Sequence, residues 1–167
     1  WIGKQALKNL IINQSIIKID KDITQIYKVV KKIFKIKSID ALGDFINNDQ
    51  NLLFNIASIA KDIIKLAESG NDLALSIIQE GTISVSEYIL NILDEMNFRK
   101  KSIILAGNGS VIKNDYFRKN LNNSLMFDIP DLAWTFSELS AAYGAGIISA
   151  ESKGLAIDIS RILKGNP

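Results

Sequence analysis

The sequence predicts an α/β domain in which helices greatly outnumber strands. Most of the first hundred residues carry apolar side chains at helical spacing, which is typical of amphipathic helices. Two short apolar runs, Ser102 to Ala106 and Leu125 to Ile129, are the predicted strands. A helix is predicted between them, and the order strand, helix, strand is typical of a parallel pair. We therefore expect at least two parallel strands in a helix-rich chain.

Length and composition are those of one globular domain. The 167 residues are 47% hydrophobic, which suffices for a single core over residues 1–167. The formal net charge is +2 and lysines alternate with acids, so we expect no nucleic-acid partner. No apolar run reaches the length of a membrane span and no signal peptide is recognisable, so we also expect no membrane partner.

The chain contains neither cysteine nor histidine. This excludes disulfides, thiolate nucleophiles, the usual zinc sites and any catalytic triad that needs an imidazole. Carboxylates, lysines, hydroxyl groups and backbone amides remain for binding and chemistry. The absence of cysteine is also typical of a cytoplasmic protein.

The first predicted helix is already under way at the first residue. The chain opens WIGKQALKNLI without a methionine, and one apolar stripe is formed by Ile2, Ala6, Leu7, Leu10 and Ile11. Natural amino termini rarely begin with an apolar Trp inside a helix. The sequence therefore predicts a fragment whose upstream part is missing.

A second helix is predicted from the region of Asp20 or Asp22, either of which can cap it. Its apolar face consists of Ile23, Ile26, Tyr27, Val30, Ile33 and Phe34. Its other face carries Lys28, Lys31, Lys32 and Lys35. A lysine run can bind an anionic partner, but no aromatic residues alternate with these lysines, so we interpret them as a solvated face.

Three more helices precede the first predicted strand. Ser38 is a predicted N-cap for a short helix that ends near Asn47, and a longer helix is predicted from Leu52 to Glu68. Asn71 or Asp72 caps the longest helix, which continues to Met96. Gly81 interrupts it, and a glycine inside a helix indicates a kink or a close crossing.

The glycine turn GNG follows the first strand directly. Gly107 and Gly109 permit positive φ and a close approach of the backbone, and the polar run after them predicts a helix start. A strand, glycine turn and helix in this order expose backbone amides at the carboxyl end of a strand. Open α/β sheets commonly bind phosphates there, although many such turns only connect two elements.

A helix rich in small residues is predicted near the carboxyl end. Thr135 and Glu138 have the spacing of a capping box, and Ala142, Gly144 and Gly146 follow. Such a helix serves either tight core packing or a hinge between two domains, and the residues alone favour neither. A last short helix is predicted over Ala156 to Leu163.

Four stretches, in the same order, resemble one family. The opening WIGKQAL resembles the segment after the Asp-Glu-Gly-Ser loop of the N-acetylglucosamine kinase and archaeal hexokinase group in the BadF/BadG-type ATPase family. The stretches NIASIAKDIIKLAESGNDLA, GNGSVIKN and ELSAAYGAGIISA resemble three later segments of that family. The family belongs to the superfamily of acetate and sugar kinases, heat-shock chaperones and actin. The resemblance covers nearly the whole chain, with Ser15 to Asn51 matching only loosely.

The resemblance implies the carboxyl-terminal, nucleotide-binding half of a two-domain kinase with the ribonuclease-H-like, actin-type fold. ATP would lie in the cleft between the halves. The residues that the resemblance implies for ATP binding are Gly107, Gly109, Ser110, Lys113, Asn114 and Ala57.

The resemblance gives each of these positions a role. Gly109 and Ser110 approach the nucleotide through their backbones, and Gly107 makes the turn possible. Lys113 and Asn114 flank the phosphates or the ribose. Ala57 is small and leaves room on the adenosine side of the cleft.

The resemblance also implies which parts of the site are missing. Family members use an aspartate of the amino-terminal half as catalytic base, and they hold Mg2+ and phosphates with Asp-Gly-Gly and Gly-Thr-Gly loops upstream of Trp1. We therefore assign no catalytic and no metal-binding residue in this chain. With its amino-terminal half, the protein would phosphorylate a sugar hydroxyl of N-acetylglucosamine, glucose or a related hexose, whereas this part alone would be inactive. A homodimer is compatible with the resemblance.

Two alternatives belong to other classes of protein. The same family includes ATPases that activate acyl-CoA dehydratases and reductases through an iron–sulfur cluster, which requires cysteines that this chain lacks. The second alternative is a non-enzymatic helical interaction domain in which the glycine turn is purely structural.

Overall fold

The computed structural model describes residues 1–48, 50–98, 102–137, 141–155 and 157. Its elements, in order, are α1 (Ile2–Ile12), a 3-10 helix (Gln14–Ile16), α2 (Lys21–Phe34), α3 (Ala41–Asn48), α4 (Leu52–Glu68), α5 (Asp72–Glu95), β1 (Ser102–Gly107), α6 (Ser110–Lys113), α7 (Asp115–Leu125), β2 (Asp131–Phe136) and α8 (Ala141–Glu151). The helix-rich α/β class predicted from the sequence is therefore confirmed.

Helices α1 and α2 form a hairpin that packs on α4. The Asp20 side chain caps α2 by accepting hydrogen bonds from the amides of Asp22 and Ile23, at 2.9 and 3.0 Å. The buried face of α2 is that of the predicted stripe, with Ile26 and Val30 fully buried. The lysines of its other face are exposed, as predicted.

Asn71 joins α5 to α2 at one buried point. Its Oδ1 atom accepts the amide of Ala74 at 2.8 Å and so caps α5, which confirms the first of the two predicted capping residues. Its Nδ2 atom donates to the Asp22 carbonyl at 3.1 Å and to Gln25 Oε1 at 2.7 Å. Both polar atoms of the Asn71 side chain have hydrogen-bond partners, so these bonds compensate the desolvation penalty of burying the side chain.

Two glycines allow close approaches between helices. A Cβ atom on Gly3 of α1 would lie 1.9 Å from the carbonyl oxygen of Ile56 on α4. A Cβ atom on Gly81 of α5 would lie 3.2 Å from the Trp1 ring. Of the two predicted explanations for Gly81, a kink or a close crossing, the structure shows close packing, here against Trp1.

The sheet consists of β1 and β2, which pair in parallel from Ser102 opposite Asp131 to Gly107 opposite Phe136. The second strand thus lies after Pro130, and the prediction of a strand over Leu125 to Ile129 is wrong. Leu125 instead completes α7, where Leu121 and Leu125 are one turn apart and both fully buried. This spacing favours a helix, because residues four apart share one helical face.

Two other boundaries differ from the expected ones. Helix α3 begins at Ala41 rather than directly after Ser38. Thr135 is a residue of β2, so it caps no helix, and Glu138, its expected partner, lies outside the described residues. The predicted last helix over 156–163 also lies outside them, apart from residue 157.

The core runs from the hairpin through α4 and α5 to α7. Helix α4 packs on α5, and α5 packs on α7, which lies beside the sheet. In the part of the chain described, no helix is both long enough and apolar enough to cross a membrane.

Candidate functional site

The turn after β1 takes its shape from Gly109. The backbone of Gly109 has φ 96° and ψ 159°, angles that residues with a side chain rarely adopt. A Cβ atom there would meet no atom within 4 Å, so the position requires glycine for its backbone angle and not for space. Asn108, Gly109 and Ser110 are all exposed, so the turn lies at the surface.

Gly107 serves packing rather than the turn conformation. It is buried at the end of β1, and the described glycines with positive φ are Gly70, Gly109 and Gly154. A Cβ atom on Gly107 would lie 2.7 Å from Cε1 of Phe136. Glycine is therefore needed because the Phe136 ring packs against this backbone, and the role expected of Gly107 in the turn belongs to Gly109.

Asn108, which had no predicted role, closes the turn. Its Oδ1 atom accepts a hydrogen bond from the amide of Gly109 at 2.8 Å. An anion that binds the Gly109 amide must therefore displace the Asn108 side chain. The tendency of asparagine side chains to bind nearby backbone in turns is the sequence signal for this contact.

Asn114 and Lys113 lie at the junction of α6 and α7. The Oδ1 atom of Asn114 accepts the amide of Phe117 at 2.9 Å and caps α7. This acceptor is therefore already used within the fold, whereas the exposed Lys113 side chain is available to an anionic ligand.

Arg118 is a structural residue that the sequence analysis missed. Its guanidinium pairs with Asp115 and donates to the carbonyl of Lys113 at 3.2 Å. The guanidinium carbon also lies 5.3 Å from the ring centroid of Phe136 on β2. Arg118 thus links the end of α6, the start of α7 and the second strand. Its spacing of three residues from Asp115 was the available signal.

Ala57 and Val111 line one cleft between α4, α5 and α6. The cleft has a volume of about 460 Å³, within the range of ligand pockets. Trp1 and Tyr88 provide aromatic walls, and Ala57 and Gly81 provide small ones. The cleft is therefore lined predominantly by apolar groups.

A second cleft, of about 400 Å³, adjoins the glycine turn. Gly107 and Asn108 line it, and it shares Val85, Val111 and Phe117 with the first cleft. Ala57 and Gly107 are separated by fifty residues of sequence, yet their clefts meet at Val85, Val111 and Phe117. Of the predicted site residues, Ala57 and Gly107 line these clefts, whereas Gly109, Ser110, Lys113 and Asn114 line neither.

The turn offers backbone amides and polar side chains that can bind a ligand. Its side chains are those of Asn108, Ser110, Lys113 and Asn114, none of which is a carboxylate. Among the described residues, no group of three or more His, Cys, Asp and Glu could hold a metal ion. These residues therefore do not fit a Mg2+ site, and what they offer is backbone amides and one lysine for an anion.

Helix α8 leaves its small residues exposed. Ala142, Gly144, Ala145 and Gly146 are all accessible, and a Cβ atom on either glycine would meet nothing within 4 Å. The small residues of α8 therefore do not pack tightly against another described element, which was one of the two interpretations of this helix.

Comparison with known proteins finds no matching family model and no matching curated protein.

Proposed function

We propose that this chain is the nucleotide-binding half of an ATP-dependent sugar kinase with the ribonuclease-H-like fold. The proposal has two supports. The first is the family resemblance of WIGKQAL, GNGSVIKN and the two other stretches. The second is geometric: the apolar Ala57 cleft and the cleft that Gly107 and Asn108 line beside the turn adjoin at Val85, Val111 and Phe117.

That juxtaposition is the observation that carries the proposal. A nucleotide has an anionic end and a flat, largely apolar end, so its site needs two different environments side by side. The turn offers backbone amides and the exposed Lys113 to the phosphates. The cleft offers the rings of Trp1 and Tyr88, with Ala57 as a small neighbour, to the base.

Phosphoryl transfer depends on positioning and on electrostatic stabilisation of the transferred group. This chain would hold the nucleotide, while the sugar, the Mg2+ ions and the catalytic base would belong to the amino-terminal half. Helix α8, with its exposed small residues, would be the hinge at which the halves close on the substrates. A hexose or an amino sugar would be the acceptor, and the cytoplasm the location.

Hydrogen exchange with and without Mg-ATP tests the nucleotide site. We expect ATP to protect the amides from Gly107 to Asn114 together with those around Ala57, because both line the adjoining clefts. ATP-independent exchange in these segments of the protein with its amino-terminal half would contradict the proposal.

Gly109→Val is the sharpest single variant. It adds a side chain where the ligand would lie, so we expect at least a tenfold loss of ATP affinity by calorimetry, roughly the effect of 1.4 kcal/mol. Gly70→Val is the matched control, since Gly70 also has positive φ, +85°, and lies after α4. Equal ATP affinity in the two variants would remove the site assignment.

The hinge role of α8 has its own test in the intact enzyme. Ala142→Leu enlarges an exposed small residue and should lower the turnover of sugar phosphorylation more than it lowers ATP affinity. Unchanged turnover would show that closure does not use this helix.

A further inference from the structure

The stretch from Ile11 to Ile19 exposes an unusual amount of aliphatic surface. Ile11, Ile12, Ile16 and Ile19 are 48%, 66%, 38% and 83% exposed. Ile11 belongs to the predicted apolar stripe of α1, but it is exposed whereas the other four members of the stripe are buried. Apolar side chains gathered at one exposed place typically mark an interaction surface.

The backbone orients these isoleucines outward. At 100° per residue, Ile11 lies about 100° from the buried Leu10, on the side of Lys4 and Lys8. The following turn is held by hydrogen bonds from the Ile16 amide to Asn13, at 3.1 Å, and from the Ile19 amide to Ile16, at 2.9 Å. Their exposure is therefore a consequence of ordered local structure.

Exposed lysines lie on the outer faces of α1 and α2 and in the turn between them. Lys4 and Lys8 lie on the outer face of α1, and Lys18 precedes Ile19. On α2, the positions of Lys21, Lys28 and Lys32 fall within about 40° of one another around the helix axis. None of these lysines forms an ion pair with another described residue. The positive charge of this surface is thus not neutralised within the described part of the chain.

The acids nearest to the turn, Asp20 and Asp22, are fewer than the six lysines, and both bind backbone amides rather than lysines. Asp20 caps α2 through its Oδ1 atom. Asp22 Oδ2 accepts the amide of Asp72 at 2.8 Å. Since α1 and α2 both pack on α4 with their buried faces, their outer faces point away from it. We call these outer faces, together with the turn between them, the hairpin surface.

We propose that the hairpin surface docks on an anionic lipid bilayer without crossing it. The isoleucines would enter the boundary between headgroups and acyl chains, and the lysines would face the anionic headgroups. Nucleic acid is the weaker fit, because binders of single strands use exposed aromatic rings, and Tyr27 of α2 is half-buried with Lys31 6.0 Å above its ring. No membrane partner was expected from the sequence, because no apolar run is long enough to span a membrane. The exposure of the isoleucines depends on tertiary packing, so the sequence pattern did not reveal it.

Co-sedimentation with vesicles tests the proposal on the 167-residue chain. We expect vesicles with about 30% phosphatidylserine to bind at least about tenfold more protein than pure phosphatidylcholine vesicles, and added salt to weaken the binding. Equal binding to both vesicles, or to neither, would overturn the proposal.

Paired variants test the contribution of the isoleucines to vesicle binding. Ile12→Ser with Ile19→Ser should reduce binding by about tenfold, because the inserted aliphatic groups are lost. Leu53→Ser with Phe54→Ser is the matched control, since those α4 side chains are 84% and 74% exposed. Equal losses in both pairs would mean that general surface hydrophobicity, not the hairpin surface, causes binding.

Charge reversal tests the lysines. Lys28→Glu with Lys32→Glu should abolish the preference for phosphatidylserine, whereas Lys61→Glu with Lys65→Glu, an exposed pair at the same spacing on α4, should retain it. Polyuridylate binding that is lost in the first pair, without any vesicle binding, would replace the proposal with a nucleic-acid surface. A dimer that Ile12→Ser dissociates, again without vesicle binding, would replace it with a protein interface.

Discussion

The helical body, which consists of α1, α2, α4 and α5, buries its apolar residues more completely than the two-stranded sheet does. Ile26, Ile63 and Ile78, on three helices of the body, are fully buried. In β1, Ile103 is buried whereas Ile104, the next residue, is 69% exposed. Each of these helices contacts several others, but the sheet is covered on one face only within the described residues.

This difference shows where the stability of the chain resides. The covered face of the sheet lies against α5 and α7, where Trp134 Nε1 donates to Asn122 Oδ1 at 2.8 Å. Parallel sheets usually bury both faces, so the sheet in this chain gains about half of the usual apolar contact. Substitutions in the helical body should therefore cost more than substitutions on the uncovered side.

The largest effect should come from truncating an isoleucine of the body. Ile78→Ala leaves a cavity at a fully buried position and should cost about 2–5 kcal/mol in the free energy of unfolding. Ile104→Ala on the exposed face of β1 should cost less than about 1 kcal/mol. Urea denaturation measures both. Equal losses would mean that the sheet face is covered in solution.

A glycine of the body should be almost as sensitive. Gly3→Ala puts a Cβ atom 1.9 Å from the Ile56 carbonyl oxygen, and a backbone atom cannot rotate away. Helices α1 and α4 must then separate, at a cost of about 3 kcal/mol. A melting temperature within a degree or so of the unchanged chain would contradict this close crossing.

The buried cap of α5 should have an intermediate effect. Asn71→Ala removes the hydrogen bonds to Ala74, Asp22 and Gln25 and should cost about 2 kcal/mol. Asn71→Asp retains the acceptor but not the donor, so its loss should be smaller when measured in the same urea series. If the Asp variant is as unstable as the Ala variant, the contribution of Asn71 to the free energy of unfolding comes from its Nδ2 donor alone.

The smallest effect should appear in α8 and have the opposite sign. Gly144→Ala meets no atom within 4 Å, so the gain in helix propensity should stabilise α8 by up to about 1 kcal/mol. Slower hydrogen exchange of the α8 amides is the measurement. A faster exchange would reveal that another element packs closely on this glycine.

Local sequence patterns were enough to predict most helices of the helical body. The predicted bounds of α4 coincide with the observed ones, and the caps at Asp20 and Asn71 were among the predicted alternatives. They were predictable because a cap and its helix lie within a few residues of each other. The second strand was missed because a short apolar run such as Leu125 to Ile129 does not distinguish a strand from the buried end of a helix.

Some features of the candidate site were likewise predictable from local sequence, whereas others depend on tertiary packing. The strand, the glycine turn and the need for glycine at position 109 were predictable from residues 102–110 alone. The packing role of Gly107 depends on Phe136, and the contacts of Arg118 extend to the second strand. The meeting of the Ala57 cleft with the turn depends on the packing of α4, α5 and α6.

The sequence by itself determined most of the helices, the caps at Asp20 and Asn71 and the position of the glycine turn, because helical periodicity and turn chemistry act between neighbours in the chain. Tertiary structure decided which apolar residues are buried. Leu10 and Ile11 are adjacent and similarly apolar, yet the first is fully buried and the second is 48% exposed. The physical reason is that burial requires a partner surface from a distant part of the chain, and α4 covers only one side of α1.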